Sequence, residues 1–485
     1  MSDVRMRDEV RGRITGIVGT KDLLEDIETL ERYKKDPGNP VLIEPRRPQV
    51  VIKPESTDEV KEVVKILNEE RIPIVPRSGG LDYHGNAVPT VEQAVVLDLS
   101  KMSKIIDIDP TGEEGMYAEV EPGVTFGQLQ DELDKHGVRV PMPARLPQDA
   151  TIISTWLNRH PTIRGSWQTY VFPSLLRNIE LVRADGEVYE TGGYHVGLKT
   201  VIEAVGMGLD RIPFAPLGAI GVATRGVVRI EPKPKIRKLY FAWFDEFGHL
   251  IPHVKRTMRY SATEIGETHT IMNDTCLASL LSDTKEKFDR MKDALPPWIY
   301  AICYSGPDEE WVGIQEKHLS EISSGLGFVF SPELPGAPGA GDELLEEFER
   351  PSRVGRVYEY MPHNRVEFYS RLAYIPKYDK IIRDVLSEHG YDMPIGVFIL
   401  PLEQARTCYV EYDLYFNPAD EKEVEKMRRM LDQVYRKLIG EGAFFTKSDY
   451  PVISEELRKK APDYYKMMRR IVGTFDPNNV MGRVL

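Results

Sequence analysis

Several things are scarce in this sequence of 485 residues, and each scarcity excludes something. Cysteine is rare: Cys276, Cys303 and Cys408 are scattered, with no Cys-x-x-Cys pair. That excludes a disulfide framework and suits a reducing, cytoplasmic setting. Basic charge is outnumbered, 63 Lys and Arg against 76 Asp and Glu, for a net charge of −13. Nucleic acid and an anionic membrane surface both reward basic patches, so neither is expected as the main partner. No apolar run approaches the ~20 residues of a membrane span. Met1 to Thr20 carry charges throughout, so no signal peptide is expected. Histidines at metal-ligand spacing are missing too. His249 and His253 lie four apart, but Pro252 between them is expected to disturb the helix such a pair needs, so no metal site is expected. What remains is 41% hydrophobic and 29% charged, ordinary for a globular chain long enough for two or three domains.

The most informative stretch is Pro76-Arg77-Ser78-Gly79-Gly80-Leu81-Asp82-Tyr83-His84-Gly85-Asn86-Ala87-Val88-Pro89. The apolar run Ile72-Pro73-Ile74-Val75 leads into it as a short buried strand. Two adjacent glycines let the backbone take positive φ and close on a ligand, so that successive N–H groups form an anion-binding concavity. Arg77 and Ser78 add a charge and a hydroxyl. A glycine pair alone favours a plain surface turn, and the flanking elements tip the balance. Ser56-Thr57-Asp58-Glu59 has the Ser-x-x-Glu pattern that opens a helix, and Val60, Val63, Val64 and Leu67 follow at helical spacing. Ala94 to Leu99 reads as a second buried strand, and Val120-Glu121-Pro122-Gly123-Val124 precedes a helix from Thr125 to His136.

The pieces "VIKPESTDEVKEVVKILNEERIPIVPRSGG", "VVLDLSKMSKIIDID" and "VEPGVTFGQLQDEL" resemble the FAD-binding half of the vanillyl-alcohol oxidase / p-cresol methylhydroxylase (PCMH-type) flavoprotein family. Together they cover most of residues 50 to 140. The resemblance implies an α+β fold: a two-subdomain FAD-binding domain and an α+β cap with an antiparallel sheet covered by helices. It divides the chain into a helical lead-in at 1–48, the FAD-binding domain at 49–235, the substrate cap at 236–440 and a return to the FAD-binding domain at 441–485. "LLRNIELVRADGEVYETGG" fits a hairpin with an Asp185-Gly186 turn. "APLGAIGVATRGVVRIEPKP" matches the glycine-rich turn, strand and proline-rich exit that close the flavin domain. "TFDPNNVMGRVL" resembles the family's C-terminal Asp-Pro-Asn signature. The Gly- and Pro-rich "ELPGAPGAGDELLEEFER" reads as an exposed loop or crossover, and Gly16 to Lys21 as a turn, not a phosphate loop.

By resemblance, FAD meets Pro76, Arg77, Ser78, Gly79, Gly80, Leu81, Asp82, Tyr83 and His84. It also meets Pro147, Thr151, Ser154 and Thr155, and then the backbone of Gly218, Gly221, Val222, Ala223 and Thr224. The sequence departs from the family at Thr151 to Trp156, where paired glycines are usual. Leu81 stands where berberine-bridge-type relatives carry the histidine that bonds the flavin, and no cysteine precedes residue 276. FAD is therefore expected to be non-covalent, with His84 a conceivable but less favoured anchor.

Substrate residues are sought on the cap. Period-two alternation puts Arg365, Glu367, Tyr369 and Arg371 on one strand face, and Tyr409, Glu411, Asp413 and Tyr415 on another. The plain alternative is a solvated sheet face with cross-strand Arg–Glu pairs. Tyr369, Arg371, Tyr409 and Glu411 are the chosen catalytic candidates: Arg371 to clamp a carboxylate or phenolate, a Tyr or Glu to accept a proton. Tyr450 and Lys447 lie where relatives with phenolic substrates hold anion-stabilising residues. The resemblance implies hydride transfer from an alcohol or para-substituted phenol to FAD, although the aspartate of the phenol-oxidising branch has no counterpart around Thr169 to Phe172. A 2-hydroxy acid (lactate- or glycolate-like) dehydrogenase is the first alternative, but "ARTCYVEYDLYF" lacks the histidines of that class. A catalytically degenerate or electron-relay subunit is the second. An electron-acceptor protein and a homodimer stay open as partners beside the small-molecule substrate.

Overall fold

The structure is a computed structural model that describes residues 6–36, 41–81, 84–167, 175–201, 212–213, 218–259, 266–352, 361–447 and 450–482. Helix α1 (Asp8–Val18) buries Val10, Ile14 and Val18, four apart on one face, and stops at Gly19 with φ 81°. The Gly16 to Lys21 run is thus a helix end and a turn. Strand β1 (Leu23–Leu24) and helix α2 (Ile27–Tyr33) follow. Then come β2 (Val50–Ile52), α3 (Thr57–Glu69), β3 (Ile74–Arg77) and β4 (Val95–Asp98). At the start of α3 the Ser56 hydroxyl accepts from Glu59 N at 3.2 Å, while the Glu59 carboxylate reaches back to Glu55 N at 2.8 Å. The sheet order is β1-β2-β4-β3, with β2 and β3 both parallel to β4. Strands β2 and β4 are buried throughout, which is why they read as continuous apolar runs. The 1–48 segment expected as a helical lead-in also contributes the edge strand β1.

A second sheet takes β5 (Ile105–Asp109), β6 (Tyr117–Val120), β8 (Leu176–Val182), β9 (Val188–Glu190) and β10 (Val222–Arg229) in the antiparallel order β5-β6-β10-β8-β9. The expected hairpin is β8–β9, turning at Gly186 with φ 81°. Helices α4 (Phe126–Leu133) and α5 (Ile152–Leu157) pack beside this sheet, and β7 (Val138–Arg139) pairs with β11 (Glu231–Pro232).

The chain then builds β12 (Ile236–Phe244), α6 (Phe247–Arg259), β13 (Thr268–Asn273), α7 (Asp274–Leu281), α8 (Lys285–Ala294), β14 (Trp298–Gly306), α9 (Glu309–Ser324) and α10 (Ala340–Glu349). It continues through β15 (His363–Ser370), α11 (Ile375–Glu388), β16 (Ile395–Leu402), β17 (Thr407–Tyr415) and α12 (Glu421–Gly440). The six strands form one antiparallel sheet, β12-β14-β13-β16-β17-β15. Val366, Phe368, Val410, Tyr412 and Leu414 share a hydrophobic cluster with Ile382 of α11 and Leu431 and Val434 of α12. That leaves the other face of β15 and β17 for the polar side chains.

Two expectations are corrected. Half of the Gly- and Pro-rich stretch is α10, because Leu344 and Phe348 recur four apart and bury against the core. Pro252 does not stop α6, because its missing N–H removes a single bond near the helix start. His249 nevertheless points to solvent, while His253 packs edge-on to Phe328 at 4.1 Å between centroids.

Helices α13 (Pro451–Lys460) and α14 (Pro462–Phe475) lead back to the first sheet. There Ile74 N donates to Val480 O at 2.7 Å and Gly482 N donates to Ile74 O at 3.0 Å. Asp476, of the Asp-Pro-Asn signature, accepts from Val480 N and Met481 N at 3.0 and 2.7 Å.

Candidate active site

Where β3 leaves its sheet, the backbone turns at Gly80 with φ 70°, and a Cβ there would collide with the Arg77 guanidinium. This turn forms one wall of a groove enclosing about 880 Å³ including its open mouth. Residues 218–223 form the facing wall. Gly218 has φ 80°, and a Cβ on Gly221 would stand 2.7 Å from the Val182 carbonyl oxygen. Ser78 Oγ, Thr151 Oγ1 and Ser154 Oγ form a hydroxyl chain with steps of 2.7 and 2.8 Å. Leu81, Leu99, Ile153, Leu157, Leu181 and Ile220 supply apolar walls. The Arg77 guanidinium lies 4.9 Å over the Tyr33 ring. Glycine-lined backbone, hydroxyls and one arginine beside apolar walls fit a dinucleotide with a planar ring system.

The second feature is a buried polar cluster on β15 and β17. Their register sets Arg365 opposite Asp413, Glu367 opposite Glu411 and Tyr369 opposite Tyr409. The face is not solvated: Glu411 and Asp413 are 0% exposed and Arg365 is 3% exposed. The loop after β7 delivers Arg145, whose guanidinium meets Glu411 Oε2 at 2.5 Å and also Asp413. Arg365 lies 3.4 Å from both carboxylates. The Tyr409 hydroxyl lies 2.7 Å from Glu367 Oε2 and 2.5 Å from Glu411 Oε1. Lys447 Nζ is 2.6 Å from Glu367 Oε1, and His84 Nε2 is 3.9 Å from Glu367 Oε2. His160 completes the group. It is 3% exposed, and neither ring nitrogen has a hydrogen-bond partner among the described residues.

The electrostatics follow from burial and pairing. Burial would raise Glu367, but the Lys447 ammonium at 2.6 Å holds its carboxyl well below the usual range. Asp413 is held down in the same way, against burial, chiefly by Arg145. Burial first and Lys447 second push His160 far below an ordinary imidazole, so its ring is neutral. Arg145, Arg365 and Lys447 therefore face Glu367, Glu411 and Asp413, a balance of three charges each way. Burial also lowers His363, 3.4 Å from Asp413, to about 4. Its unfolded pKa is about 6.5, so its stability contribution is complete above about pH 6.5 and is lost as pH falls to 4, about 3 kcal/mol in all. His160 acts in the same direction. Urea melts at pH 7 and pH 4.5 should show this loss, and His363→Asn should shrink it; an unchanged pH slope would refute it.

Cluster and groove adjoin. Leu81 and Asn86 line the groove and bracket His84, and Asn158 lines it two residues before His160. The Tyr369 hydroxyl also meets the Arg159 carbonyl oxygen at 3.5 Å.

Residues 48–192 match the model of the FAD binding domain family. The flavoprotein subunit of 4-cresol dehydrogenase (hydroxylating) from Pseudomonas putida is 26% identical, across 97% of this chain and 93% of its own. The chain carries an FAD binding domain and resembles the vanillyl-alcohol oxidase / p-cresol methylhydroxylase flavoproteins, and its relatives support an FAD-dependent oxidoreductase. The crystal structure of p-cresol methylhydroxylase with substrate bound shares its fold, with a TM-score of 0.80 at 20% identity over 98% of this chain and 95% of that one. A different activity is represented by glycolate oxidase subunit GlcD from Bacillus subtilis, 30% identical over 41% of this chain and 40% of its own.

Of the flavin-site residues expected for a family member, Pro76, Arg77, Ser78, Gly80, Leu81, Ser154, Gly218 and Gly221 line the groove. Gly79 and Thr151 lie just behind, since a Cβ on Gly79 would be 3.1 Å from the Thr151 methyl. Alternation along β10 corrects two others. Ala223 faces the groove, whereas Val222 is buried in the core under α3 and Thr224 Oγ1 donates to Glu180 Oε1 at 2.7 Å. Thr155 is buried, its carbonyl oxygen accepting from His160 N at 3.2 Å, and the Pro147 carbonyl oxygen accepts from Ala150 N; neither lines the groove. His84 belongs to the polar cluster, and Asp82 and Tyr83 lie outside the described residues. On β15 and β17, Tyr369, Tyr409 and Glu411 share the buried face, and Tyr450 meets His84 edge-on at 6.0 Å. Arg371 does not join them. Strand β15 ends at Ser370, and Arg371 turns out to solvent with its guanidinium 5.6 Å from the Tyr374 ring. Sequence reasoning missed Arg145, His160 and His363.

Proposed function

We propose that this chain oxidises a neutral hydroxyl-bearing small molecule, an alcohol or a para-substituted phenol, with FAD held non-covalently in the groove. Residues 49–235 and 441–485 would hold the flavin, and 236–440 would cover it. When bound, FAD supplies the two-electron acceptor for the hydride leaving the substrate carbon. The residues lining the groove bind it, and the polar cluster receives the substrate hydroxyl. The neutral ring of His160 accepts a hydrogen bond from the substrate hydroxyl, and Tyr369, Tyr409 and Tyr450 orient the substrate.

The observation carrying this reading is the charge balance of the cluster. Arg145, Arg365 and Lys447 each lie within 3.4 Å of a carboxylate. A 2-hydroxy acid would bring a fourth carboxylate into a buried site whose cations are already engaged, a costly desolvation. A neutral hydroxyl needs only an acceptor, and His160 offers one. Non-covalent attachment is supported by Leu81 lining the groove, and by His84 turning to Glu367 instead. The Pseudomonas putida relative is a flavoprotein subunit, which supports a protein as electron acceptor here.

An anaerobic screen tests the proposal. 4-Cresol or 4-hydroxybenzyl alcohol should bleach the flavin absorbance, while glycolate and D-lactate should not; bleaching by the hydroxy acids alone would replace this reading with the alternative. His160→Leu should slow bleaching about tenfold while flavin content stays unchanged. After acid precipitation the flavin should move to the supernatant, and yellow colour retained in the pellet would establish a covalent bond.

A further inference from the structure

Arg77 lines the groove, and what seats its side chain is a ring and a carbonyl. The guanidinium lies 4.9 Å over the Tyr33 ring, and Nη1 donates to the Tyr33 carbonyl oxygen at 3.5 Å. Gly80 closes the other side, since a Cβ there would run into the guanidinium. Asp98 stands opposite Arg77 in the β3–β4 register. Its carboxylate, however, is engaged by the Tyr33 hydroxyl and by Lys53 at 3.1 Å. Arg77 forms no ion pair among the described residues.

Tyr33 is itself fixed. It ends α2, whose Leu30 packs with Val51 of β2 and Val96 of β4, and Tyr33 and Val75 flank that cluster. Three residues further on, the buried Asp36 accepts from Gly85 N at 2.6 Å. Gly85 has φ 75° and directly follows His84 of the polar cluster. The N-terminal segment therefore holds the 77–85 stretch at both ends, by Arg77 on entry and by Gly85 on exit.

We infer that Tyr33 is a positioning residue for FAD: its ring and carbonyl seat the Arg77 guanidinium in the groove with its charge intact, to meet the anionic part of the cofactor. The inference rests on FAD occupying the groove. The negative charge of FAD is carried by its diphosphate, so a cation in the wall contributes most when no carboxylate already neutralises it. A carboxylate would hold a guanidinium as firmly, but would cancel much of the field an incoming anion feels. An aromatic face orients the planar fork through its quadrupole and leaves the net charge and the N–H edge available. The hydroxyl bond to Asp98 keeps the ring from sliding out from under the guanidinium, and Lys53 balances the charge of Asp98.

The test follows FAD release from the flavin-loaded full chain after dilution, read as rising flavin fluorescence. Tyr33→Leu should speed release about tenfold, and Arg77→Leu at least as much. The double variant Tyr33→Leu/Arg77→Leu should release FAD no faster than Arg77→Leu alone, because the ring then has no guanidinium to seat. Tyr33→Phe keeps the ring and should stay within about threefold of the parent. Added salt should speed release from the parent more than from Tyr33→Leu. Should Tyr33→Leu fail to fold, Tyr33→Met makes the same comparison with a side chain that fills the gap. A further tenfold loss from Tyr33→Leu in the Arg77→Leu background would overturn the inference, since Tyr33 would then support the fold and not Arg77. Unchanged release from Arg77→Leu would overturn it too. If Ala223→Trp still abolishes flavin binding in that case, FAD occupies the groove and only the role of Tyr33 falls.

Discussion

Arg145→Ala should lower the unfolding free energy by about 3–5 kcal/mol, a large share of what holds a typical domain together. The guanidinium is the closest cation to two carboxylates that are fully buried, Glu411 and Asp413. Without it, Arg365 at 3.4 Å has to serve both, and water cannot reach them to make up the difference. Most of the loss is therefore the cost of an uncompensated buried charge, not the worth of one ion pair. Adding Glu411→Gln and Asp413→Asn to Arg145→Ala should recover part of it, because the stranded charges go too. Urea melts of the three proteins at pH 7 decide the matter. A loss below about 1 kcal/mol for the single variant would show that the cluster is far wetter than its burial implies.

Ala223→Trp should yield a folded protein that purifies without flavin, with FAD affinity down at least about a hundredfold, equivalent to about 3 kcal/mol. Ala223 lines the groove from β10, and an indole there would occupy the space between the walls. Thr224→Ala, one residue along, should leave FAD affinity unchanged and cost only stability, since its hydroxyl is bound to Glu180 on the opposite face. Flavin titration followed by protein fluorescence separates the two. Equal effects at 223 and 224, or normal affinity in Ala223→Trp, would mean that flavin does not occupy this groove.

The contrast between 223 and 224 illustrates what sequence could reveal. Family resemblance located the 218–224 segment but named Val222, Ala223 and Thr224 alike, because it ranks positions without saying which face each takes. Alternation, in turn, paired the polar residues of β15 and β17 correctly. It could not tell whether that face met water or another layer, since a buried, self-neutralised face and a solvated one have the same period. Nor does alternation mark its own end, so Arg371 was read onto a strand that stops at Ser370. Arg145 and His160 were invisible for a different reason. Both come from irregular loops, with no period or cap to betray them, and only the folded chain brings them to Glu411 and Glu367. The Pro76–Leu81 turn was legible because its glycines, its leading strand and the Ser56 helix cap are all local.

The hydrogen bonds from Ile74 to Val480 and from Gly482 to Ile74 have a consequence for biosynthesis. The strand that carries the flavin turn is completed by residues more than four hundred positions later in the chain. A nascent polypeptide can assemble β2, α3 and β4 early, yet β3 lacks these partners until residue 482 has left the ribosome. Flavin capture should therefore wait for that late segment, and chains stalled before it should accumulate without a reactive cofactor.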